Sequence, residues 1–447
     1  MSVLTLAYCA WIGYVVVRIL RDRLPRPADI VTLSLFFYNV PLALVALVPG
    51  IDDLTGNLAF LNPVAGDVPV AEKTVLITAI ATLALGIGRW LGSRLKRPKS
   101  PRRPIQLHLP LQRTAVLLMI VAVVAIVGGI GIFGAEVFFS GYAAGSQEAA
   151  GETGEALIYF SHEVMGLAFF VWCVCSMNTH HTRGRLAVLS CLAFLMLVTV
   201  LRGKRLELIV ALLPALLLWW STRLVRVWQR VAAVGCIALA VAVLASVRLG
   251  ESPNVASVAF NLFSEGLYAG HMTPGVIDAV QRGEMKLEYG GRFLVAVLAL
   301  VPRMLMPAKD ELVYRTITDL TPYAPLGASS FLAEVFLQGE VIGVVICFLL
   351  IGFGASRLEM RSLTGHRGLL SLRAVAYVLF VCSFVPHFRD GIVPSLKIPV
   401  QLLVVVLLLV SIGGAWARVR RARRSSGGVL IAAAPLRLPA HSTVPAS

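Results

Sequence analysis

Long apolar runs are the feature that most limits what this chain can fold into. Eleven runs of 16 to 26 residues follow one another along the 447 residues. A helix needs about 20 mainly apolar residues to cross a bilayer, so the runs predict an all-α, polytopic membrane helix bundle of about eleven transmembrane helices. The runs lie near residues 3–20, 29–48, 70–92, 114–134, 157–177, 186–201, 206–222, 231–248, 329–354, 370–386 and 393–414.

The composition agrees with this class and excludes a soluble enzyme. Apolar residues make up 57% of the chain and charged residues 14%, whereas soluble domains carry about 45–50% and about 25%. A net charge of +16 would suggest a nucleic-acid partner in a soluble protein. In a membrane protein the informative quantity is how that charge divides between the two sides of the membrane. We therefore expect no nucleic-acid partner.

The positions of Lys and Arg predict the orientation of the chain. With the N-terminus outside, 27 of the 40 basic residues and only 3 of the 24 acidic residues lie on the inner side. Cytoplasmic loops of membrane proteins carry the excess of Lys and Arg. The sequence therefore predicts an N-terminus outside and a C-terminus inside.

The spacing of the runs divides the chain into four parts. Residues 1–248 contain predicted spans one to eight, residues 329–414 contain spans nine to eleven, and the basic tail 415–447 is predicted to be disordered. Residues 249–328 form a loop that is too long for a connector, and such loops are usually functional or disordered. Because this loop contains apolar stretches, we expect it to pack as short interfacial helices on the outer side.

The predicted outer side carries few cations, and they are clustered. Arg202 and Arg205 lie in the turn between spans six and seven, whereas the loops 49–69 and 135–158 contain no Lys or Arg. Arg202 and Arg205 share a face if the helix continues, and two guanidinium groups suit a phosphate or pyrophosphate. A hydrophilic turn, with Glu207 balancing Arg205, explains these residues equally well.

A second pair of outer cations flanks a proline-bounded turn in the long loop. Arg303 follows Pro302, and Lys309 lies two residues after Pro307. These side chains could bind an anion at the outer surface. They could equally extend their charged ends into the lipid headgroup layer.

Two further segments place polar residues at the outer ends of predicted spans. Glu334 opens span nine and shares a helix face with Gln338. An acid within a span is a functional candidate, although an acid near a helix start is also stabilised by the helix dipole. His387, Arg389 and Asp390 lie in the short turn before span eleven, which is either a binding element or a simple hydrophilic break.

Four short motifs follow one another between residues 200 and 415. They are Gly203-Lys204-Arg205 at a helix start, V-P-R…P-x-K from Val301 to Lys309, S-S…E-x-F…G from Ser329 to Gly343, and an F-R-x-G-like turn from Phe388 to Gly391. In this order, and with about eleven spans, the chain resembles the Wzy-type oligosaccharide repeat-unit (O-antigen) polymerases. The resemblance implies a GT-C-like membrane fold. Two positions depart from the family pattern, because Glu340 stands at a glycine position and the turn reads Arg-Asp-Gly instead of Arg-Gly-Asp.

The resemblance implies a glycosyltransferase of the bacterial inner membrane whose active site faces the periplasm. Such an enzyme joins repeat units that are carried on undecaprenyl diphosphate. A sugar hydroxyl of one unit attacks the anomeric carbon of the chain on another, and undecaprenyl diphosphate leaves. Positive charge would stabilise the departing diphosphate, and a carboxylate or imidazole would accept the hydroxyl proton. No cofactor or metal is expected, since the sequence has no nucleotide-binding loop or metal-ligand motif.

The resemblance also implies roles for particular residues and partners. Glu334 is the first candidate for the base, and His387 or Asp390 is the second. The expected partners are the lipid-linked oligosaccharides and membrane lipids, together with a chain-length regulator and a flippase. The residues expected to bind the diphosphates are Arg205, Arg303 and Arg389, with Arg202 and Lys309 as further candidates.

Other functions stay open at the level of the sequence. An O-antigen ligase, which transfers finished glycan to a lipid core, also has a long external loop with basic residues. A transporter of an anionic solute would favour broken helices at mid-span and two similar halves, and the sequence shows neither. A structural protein is the remaining alternative.

Overall fold

The structure is a computed structural model, and it describes most of the predicted spans. The described residues are 3–47, 67–95, 111–133, 164–166, 168, 190, 193–194, 197, 205–222, 225–248, 255–301, 305–309, 311–313, 320, 323, 329–360, 363 and 371–427. Predicted spans five and six, at 157–177 and 186–201, fall largely outside them.

The described chain is built from α-helices. The N-terminal helices are α1 (Val3–Arg21), α2 (Pro27–Leu47), α3 (Val68–Arg94), α4 (Leu111–Phe133), α5 (Arg205–Thr222) and α6 (Val227–Arg248). The following helices are α7 (Val255–Gln281), α8 (Gly291–Leu298), α9 (Phe331–Leu337), α10 (Glu340–Leu358), α11 (Leu372–Leu379) and α12 (Ile392–Gly427). A π-helical turn Phe380–Phe384 and a 3₁₀ turn Pro386–Arg389 connect α11 to α12.

Five helical segments of the described chain are long and apolar enough to cross a membrane. They are Val3–Arg21, Pro27–Leu44, Val68–Arg94, Glu340–Leu358 and Leu372–Arg389. This agrees with an all-α membrane protein. The number of eleven spans and the N-out orientation stay predictions.

Helices α3 and α10 pack closely because glycines face the backbone of the opposite helix. A Cβ atom at Gly88 would overlap the carbonyl oxygen of Leu349, and one at Gly352 would overlap that of Leu85. Small residues allow helix backbones in membranes to approach in this way. The α3–α10 pair, with α2 and α7 against it, forms the centre of the described bundle.

The long loop contains a longer helix than we expected. α7 has 27 residues, and Met272, Val276 and Ile277 on it are fully buried against α2 and α3. The helix therefore belongs to the packed bundle and is not a short surface element. α8, with eight residues, is a short helix of the expected kind.

Two other segments differ from the sequence-based expectation. The apolar run 329–354 was expected to be one helix, but the chain turns at Gln338 and Gly339 between α9 and α10. Glu334 therefore lies outside Glu340–Leu358, the part of this run that is long and apolar enough to cross a membrane. Residues 415–427 were expected to be disordered, yet α12 continues to Gly427. This part of α12 is rich in Arg and Ala, which are strong helix formers.

Candidate functional site

Three segments that are far apart in the chain meet at one end of the described bundle. They are the loop before α8, helix α9, and the turn between α11 and α12. Tyr38 of α2 donates a hydrogen bond to the carbonyl of Pro386 in that turn, with 3.4 Å between the oxygens. The segments carry Glu334, His387, Arg389 and Asp390, so the structure brings four of the predicted site residues into one region.

Helix α9 positions Glu334 because its start is defined by Ser330. The Ser330 hydroxyl accepts a hydrogen bond from the backbone N–H of Ala333, which is a standard N-cap. One turn into the helix, the Glu334 side chain is buried, with 8% of its surface exposed. Ser329 donates a hydrogen bond of 2.7 Å to its Oε1 atom.

The other carboxylate oxygen of Glu334 contacts the start of α12. The backbone N–H of Ile392 donates to Oε2 at 2.8 Å. Gly391 has a φ of 90°, a value that L residues with a side chain rarely adopt, and a Cβ atom there would overlap Oε1 of Glu334. The turn 386–391 therefore follows its path because position 391 is glycine.

Arg292 is the cation nearest to Glu334 among the described contacts. Its side chain is 2% exposed, and its guanidinium lies 2.9 Å from Glu288 Oε1 and 3.9 Å from Glu334 Oε1. Burying an arginine is costly unless it is paired and hydrogen-bonded. The two carboxylates supply that pairing, so the buried Arg292 and Glu334 form a charged cluster with Glu288, whose side chain is 30% exposed.

Gln338 connects this cluster to the backbone. Its Oε1 accepts hydrogen bonds from the N–H groups of Gly290 and Arg292, at 3.0 and 3.3 Å. Its Nε2 donates to Glu288 Oε2 and to the carbonyl of Glu334, each at 3.1 Å. The prediction that Glu334 and Gln338 share a helix face is confirmed. The hydrogen bonds from Gln338 to Glu288, Gly290 and Arg292 then fix the position of the loop before α8.

The ionisation of Glu334 is set by competing effects. Burial raises the pKa of the Glu334 carboxyl above its ordinary value, while the positive charge of Arg292 and the hydrogen bonds from Ile392 and Ser329 lower it. Burial is the larger effect, so the net direction is upward. A carboxylate with a raised pKa is a better proton acceptor than an exposed glutamate.

The turn before α12 contains a histidine–aspartate pair. His387 is buried, and its Nδ1 lies 2.7 Å from Asp390 Oδ2. The other oxygen of Asp390 is 3.3 Å from Nε of Arg389. When Nδ1 of a histidine donates to a carboxylate, Nε2 is the nitrogen that can accept a proton.

Aromatic rings hold this turn against α9. The rings of Phe331 and Phe388 stack with centroids 4.4 Å apart and planes 8° from parallel, and Phe384 packs edge-on against both. The π-helical turn Phe380–Phe384 widens the end of the helix just before the His387–Asp390 pair. Such π-turns are frequent at functional sites.

The remaining predicted cations have different environments. Lys309 is buried, and its ammonium group donates to the carbonyl oxygens of Ala299, at 3.3 Å, and Val301; these carbonyls are its described partners, whereas the prediction gave it a diphosphate. Arg205 is the first residue of α5, and its side chain is outside the described part of the structure. Arg202 and Arg303 lie outside the described residues.

Sequence reasoning missed Glu288 and Arg292. Their spacing of four residues is that of an ion pair on a helix, and this signal was present in the sequence. Neither residue was named as a candidate, because this part of the loop 249–328 was treated only as a stretch of short interfacial helices. Only the contacts of Glu288 with Arg292 and Gln338, and the burial of Arg292 next to Glu334, mark them as members of the site.

A polar cluster adjoins the site on the side of α2 and α7. The hydroxyl of Thr273 donates to Asn39 Oδ1 at 2.7 Å, and Ser330 donates to the same oxygen at 2.9 Å. These buried side chains connect α2, α7 and the start of α9. The described residues contain no group of three His, Cys, Asp or Glu side chains that could hold a metal ion.

Comparison of the chain with protein-family models, with curated proteins and with solved structures finds no match.

Proposed function

We propose that the chain is a membrane-embedded glycosyltransferase that joins undecaprenyl-diphosphate-linked oligosaccharide repeat units at the outer face of a bacterial inner membrane. The observation that carries the proposal is the meeting of Glu334, Arg292, His387, Arg389 and Asp390 at one end of the bundle. The reaction needs a proton acceptor, which the imidazole–carboxylate pair or Glu334 could supply, and a cation for the diphosphate, which Arg389 could supply. The order of motifs in the sequence supports the same function.

In the proposed reaction, a sugar hydroxyl of one lipid-linked unit attacks the anomeric carbon of the glycan on a second lipid. The new C–O bond forms as the bond to the diphosphate breaks, and undecaprenyl diphosphate leaves with the electron pair. The hydroxyl proton passes to a base of the protein. The negative charge that develops on the diphosphate is the part of the reaction that cations stabilise.

His387 is the base that the hydrogen bonding favours. Nδ1 of the His387 ring is hydrogen-bonded to Asp390 Oδ2. In this arrangement Nε2 is the nitrogen that accepts a proton, as in other histidine–carboxylate pairs. The oxygens of Glu334 already accept hydrogen bonds from Ser329 and Ile392, which suits a residue that positions the turn 386–391. The raised pKa of Glu334 keeps this carboxylate as the second candidate for the base.

Arg389 is the described cation that we assign to the diphosphate. It is adjacent to the His387–Asp390 pair in sequence and is ion-paired to Asp390. The sequence motifs support three further diphosphate ligands in the proposal, namely Arg202, Arg205 and Arg303. Arg292 is assigned a positioning role because two carboxylates already surround it.

The test is surface-glycan electrophoresis in a strain that lacks the chromosomal copy and carries a plasmid copy. The wild-type copy should restore long chains, whereas His387→Gln and Arg389→Gln should leave a lipid core that carries a single repeat unit. The matched control is Arg357→Gln, because Arg357 lies near the other end of α10 with its guanidinium 5.0 Å from the centre of the Phe353 ring. Immunoblotting of membranes should show equal amounts of each variant.

Two results would contradict the proposal. Normal long chains from both His387→Gln and Arg389→Gln would remove the site assignment. A lipid core without any glycan in the deletion strain would identify a ligase, because loss of a ligase abolishes decoration whereas loss of a polymerase leaves one unit.

A further inference from the structure

A pocket of about 920 Å³ lies at the end of the bundle opposite the candidate site. It is formed by the turn between α1 and α2, the last part of α3, the residues that follow α10, and the start of α11. The 19 residues of α10 separate the pocket from Glu334 by about 28 Å, at 1.5 Å per residue. Its volume is within the range of about 300–1,000 Å³ that is typical of ligand sites.

The charged side chains that line the pocket are mostly positive. Two of the arginines are held by acids of the same pocket, since Arg26 lies 3.3 Å from Asp22 and Arg89 is ion-paired to Glu359. Arg23 is exposed, and no carboxylate within the described part of the chain pairs with it. The charged lining residues are Arg23, Arg26, Arg89, Arg373, Asp22 and Glu359, with a net charge of two positive units.

Hydrogen bonds from other helices hold the turn that forms one wall of the pocket. The hydroxyl of Tyr377 donates to the carbonyl of Pro25 at 2.6 Å. The carbonyl of Asp22 accepts hydrogen bonds from Trp220 at 3.2 Å and from Arg230 at 2.7 Å. Because α5, α6 and α11 all fix this turn, the arginines are presented by a preorganised wall, which reduces the entropy lost on binding.

The opposite wall is fixed by the Arg89–Glu359 pair and by Arg373. Arg373 donates to the backbone carbonyl of Glu359, so the residues after α10 are tied to both α3 and α11. Planar guanidinium groups with fixed geometry suit the oxygens of a phosphate, which accepts paired hydrogen bonds from them.

Features near the pocket are typical of a membrane–water interface. Trp90 of α3 is 50% exposed, and the Arg94 guanidinium stacks 4.2 Å from the centre of its ring. Exposed Trp and Tyr side chains are enriched at the level of the lipid headgroups. The distribution of Lys and Arg in the sequence predicts that this end of the bundle faces the cytoplasm, where anionic lipids attract basic groups.

We propose that this pocket binds a phosphate-bearing anion, with Arg23 and Arg26 as its accessible ligands and Arg89 and Arg373 as the fixed wall. The anion is either the headgroup of an anionic phospholipid or free phosphate. The site is independent of the glycosyltransferase reaction and lies at the other end of the bundle.

The test measures thermal unfolding of the full-length protein in a neutral maltoside detergent. Dioctanoyl phosphatidylglycerol, dioctanoyl phosphatidylcholine and inorganic phosphate are titrated separately, and the dissociation constant is taken from the rise in Tm. Phosphatidylglycerol should stabilise the wild-type protein more than phosphatidylcholine does. In the variant Arg23→Gln/Arg26→Gln the dissociation constant should rise about fivefold for each arginine removed.

The control variant Arg21→Gln/Arg94→Gln removes two basic residues at the same end of the bundle that do not line the pocket, and it should bind as the wild type does. If the double pocket variant fails to fold, the single variant Arg23→Gln serves, because Arg23 is exposed.

Stabilisation by phosphatidylglycerol alone identifies a lipid headgroup, and stabilisation by inorganic phosphate as well identifies free phosphate. Equal responses to the two lipids with no response to phosphate, or equal affinity in the pocket variant and the wild type, would overturn the proposal.

Discussion

The carboxylate of Glu334 accepts a hydrogen bond of 2.8 Å from the backbone N–H of Ile392, 58 residues further along the chain. This contact joins the short helix α9 to the first turn of α12. An anion at this position also interacts favourably with the positive end of the α12 dipole. The turn that carries His387, Arg389 and Asp390 ends at this contact, so its position depends on Glu334.

Gly391 should not tolerate a side chain. Gly391→Ala should reduce stability by about 1–2 kcal/mol from the left-handed backbone alone, and further because the new methyl group would overlap the Glu334 carboxylate. The measurement is thermal unfolding of the purified protein in detergent. Gly283→Ala is the matched control, since Gly283 has a φ of 73° with open space around it. Equal losses in the two variants would show that the contact with Glu334 does not constrain the turn.

The pH dependence of stability should differ between the wild type and Glu334→Gln. Burial raises the pKa of Glu334 in the folded state above its value of about 4.3 in an unfolded chain. Between these two pKa values the folded state binds more protons, so stability falls as the pH rises. Gln imitates the protonated carboxyl, and Glu334→Gln should therefore lack this decline.

The measured quantity is the free energy of unfolding of Glu334→Gln minus that of the wild type, followed from pH 4 upwards. We expect this difference to grow with pH until the folded-state pKa has been passed. A difference that shrinks with pH would show that the attraction of Arg292 and the hydrogen bonds to the carboxylate outweigh its burial.

Loss of Arg292 should be strongly destabilising. Arg292→Met leaves Glu288 and Glu334 without the cation between them. Breaking a fully buried ion pair costs about 3–5 kcal/mol, and because Glu288 is 30% exposed we expect a loss toward the lower end of that range. Arg282→Met is the matched control, because Arg282 also pairs with an acid four residues earlier but is 56% exposed. Unfolding in detergent should show a large loss for Arg292→Met and no measurable loss for the control, and similar values for both would contradict a buried cluster.

The crossing of α3 and α10 should depend on Gly88. A methyl group at this position would overlap the carbonyl of Leu349, so Gly88→Ala should push the helices apart at a cost of about 1–3 kcal/mol. Gly86 lies two residues earlier on the same helix, and a Cβ atom there contacts nothing within 4 Å. Gly86→Ala should be neutral or slightly stabilising, because alanine favours helix more than glycine does. A Tm for Gly88→Ala that equals that of Gly86→Ala would argue against this close approach.

Local relationships at the site could be predicted from the sequence. Glu334 and Gln338 are one helical turn apart, and His387 and Asp390 are three residues apart, so their contacts follow from short-range geometry. The break at Gly339 and the length of α7 could not be predicted in this way. Whether Gln338-Gly339-Glu340 interrupts the helix, and whether Val255–Gln281 packs as one helix against α2 and α3, depends on contacts with other helices that local spacing does not contain.

The residues that the loop before α8 adds to the site also could not be selected from the sequence. Glu288 and Arg292 were not selected from the sequence, and their role became visible only because α9 lies against them. Lys309 is the converse case, since its basic side chain suggested an anion site and its described partners are backbone carbonyls. The type of side chain did not indicate the partner in either case.

The sequence by itself determined that this is an α-helical chain with apolar segments long enough to cross a membrane, and it selected Glu334, His387, Arg389 and Asp390 as candidates. Both conclusions depend on properties that are carried along the chain, namely apolar run length and the position of charges. Only the tertiary structure decided that Glu334 meets Ile392, that Arg292 joins it, and that arginines from separate segments of the chain line a pocket at the opposite end. Those contacts depend on how helices distant in sequence pack, and the small side chains at the α3–α10 crossing are what allow that packing.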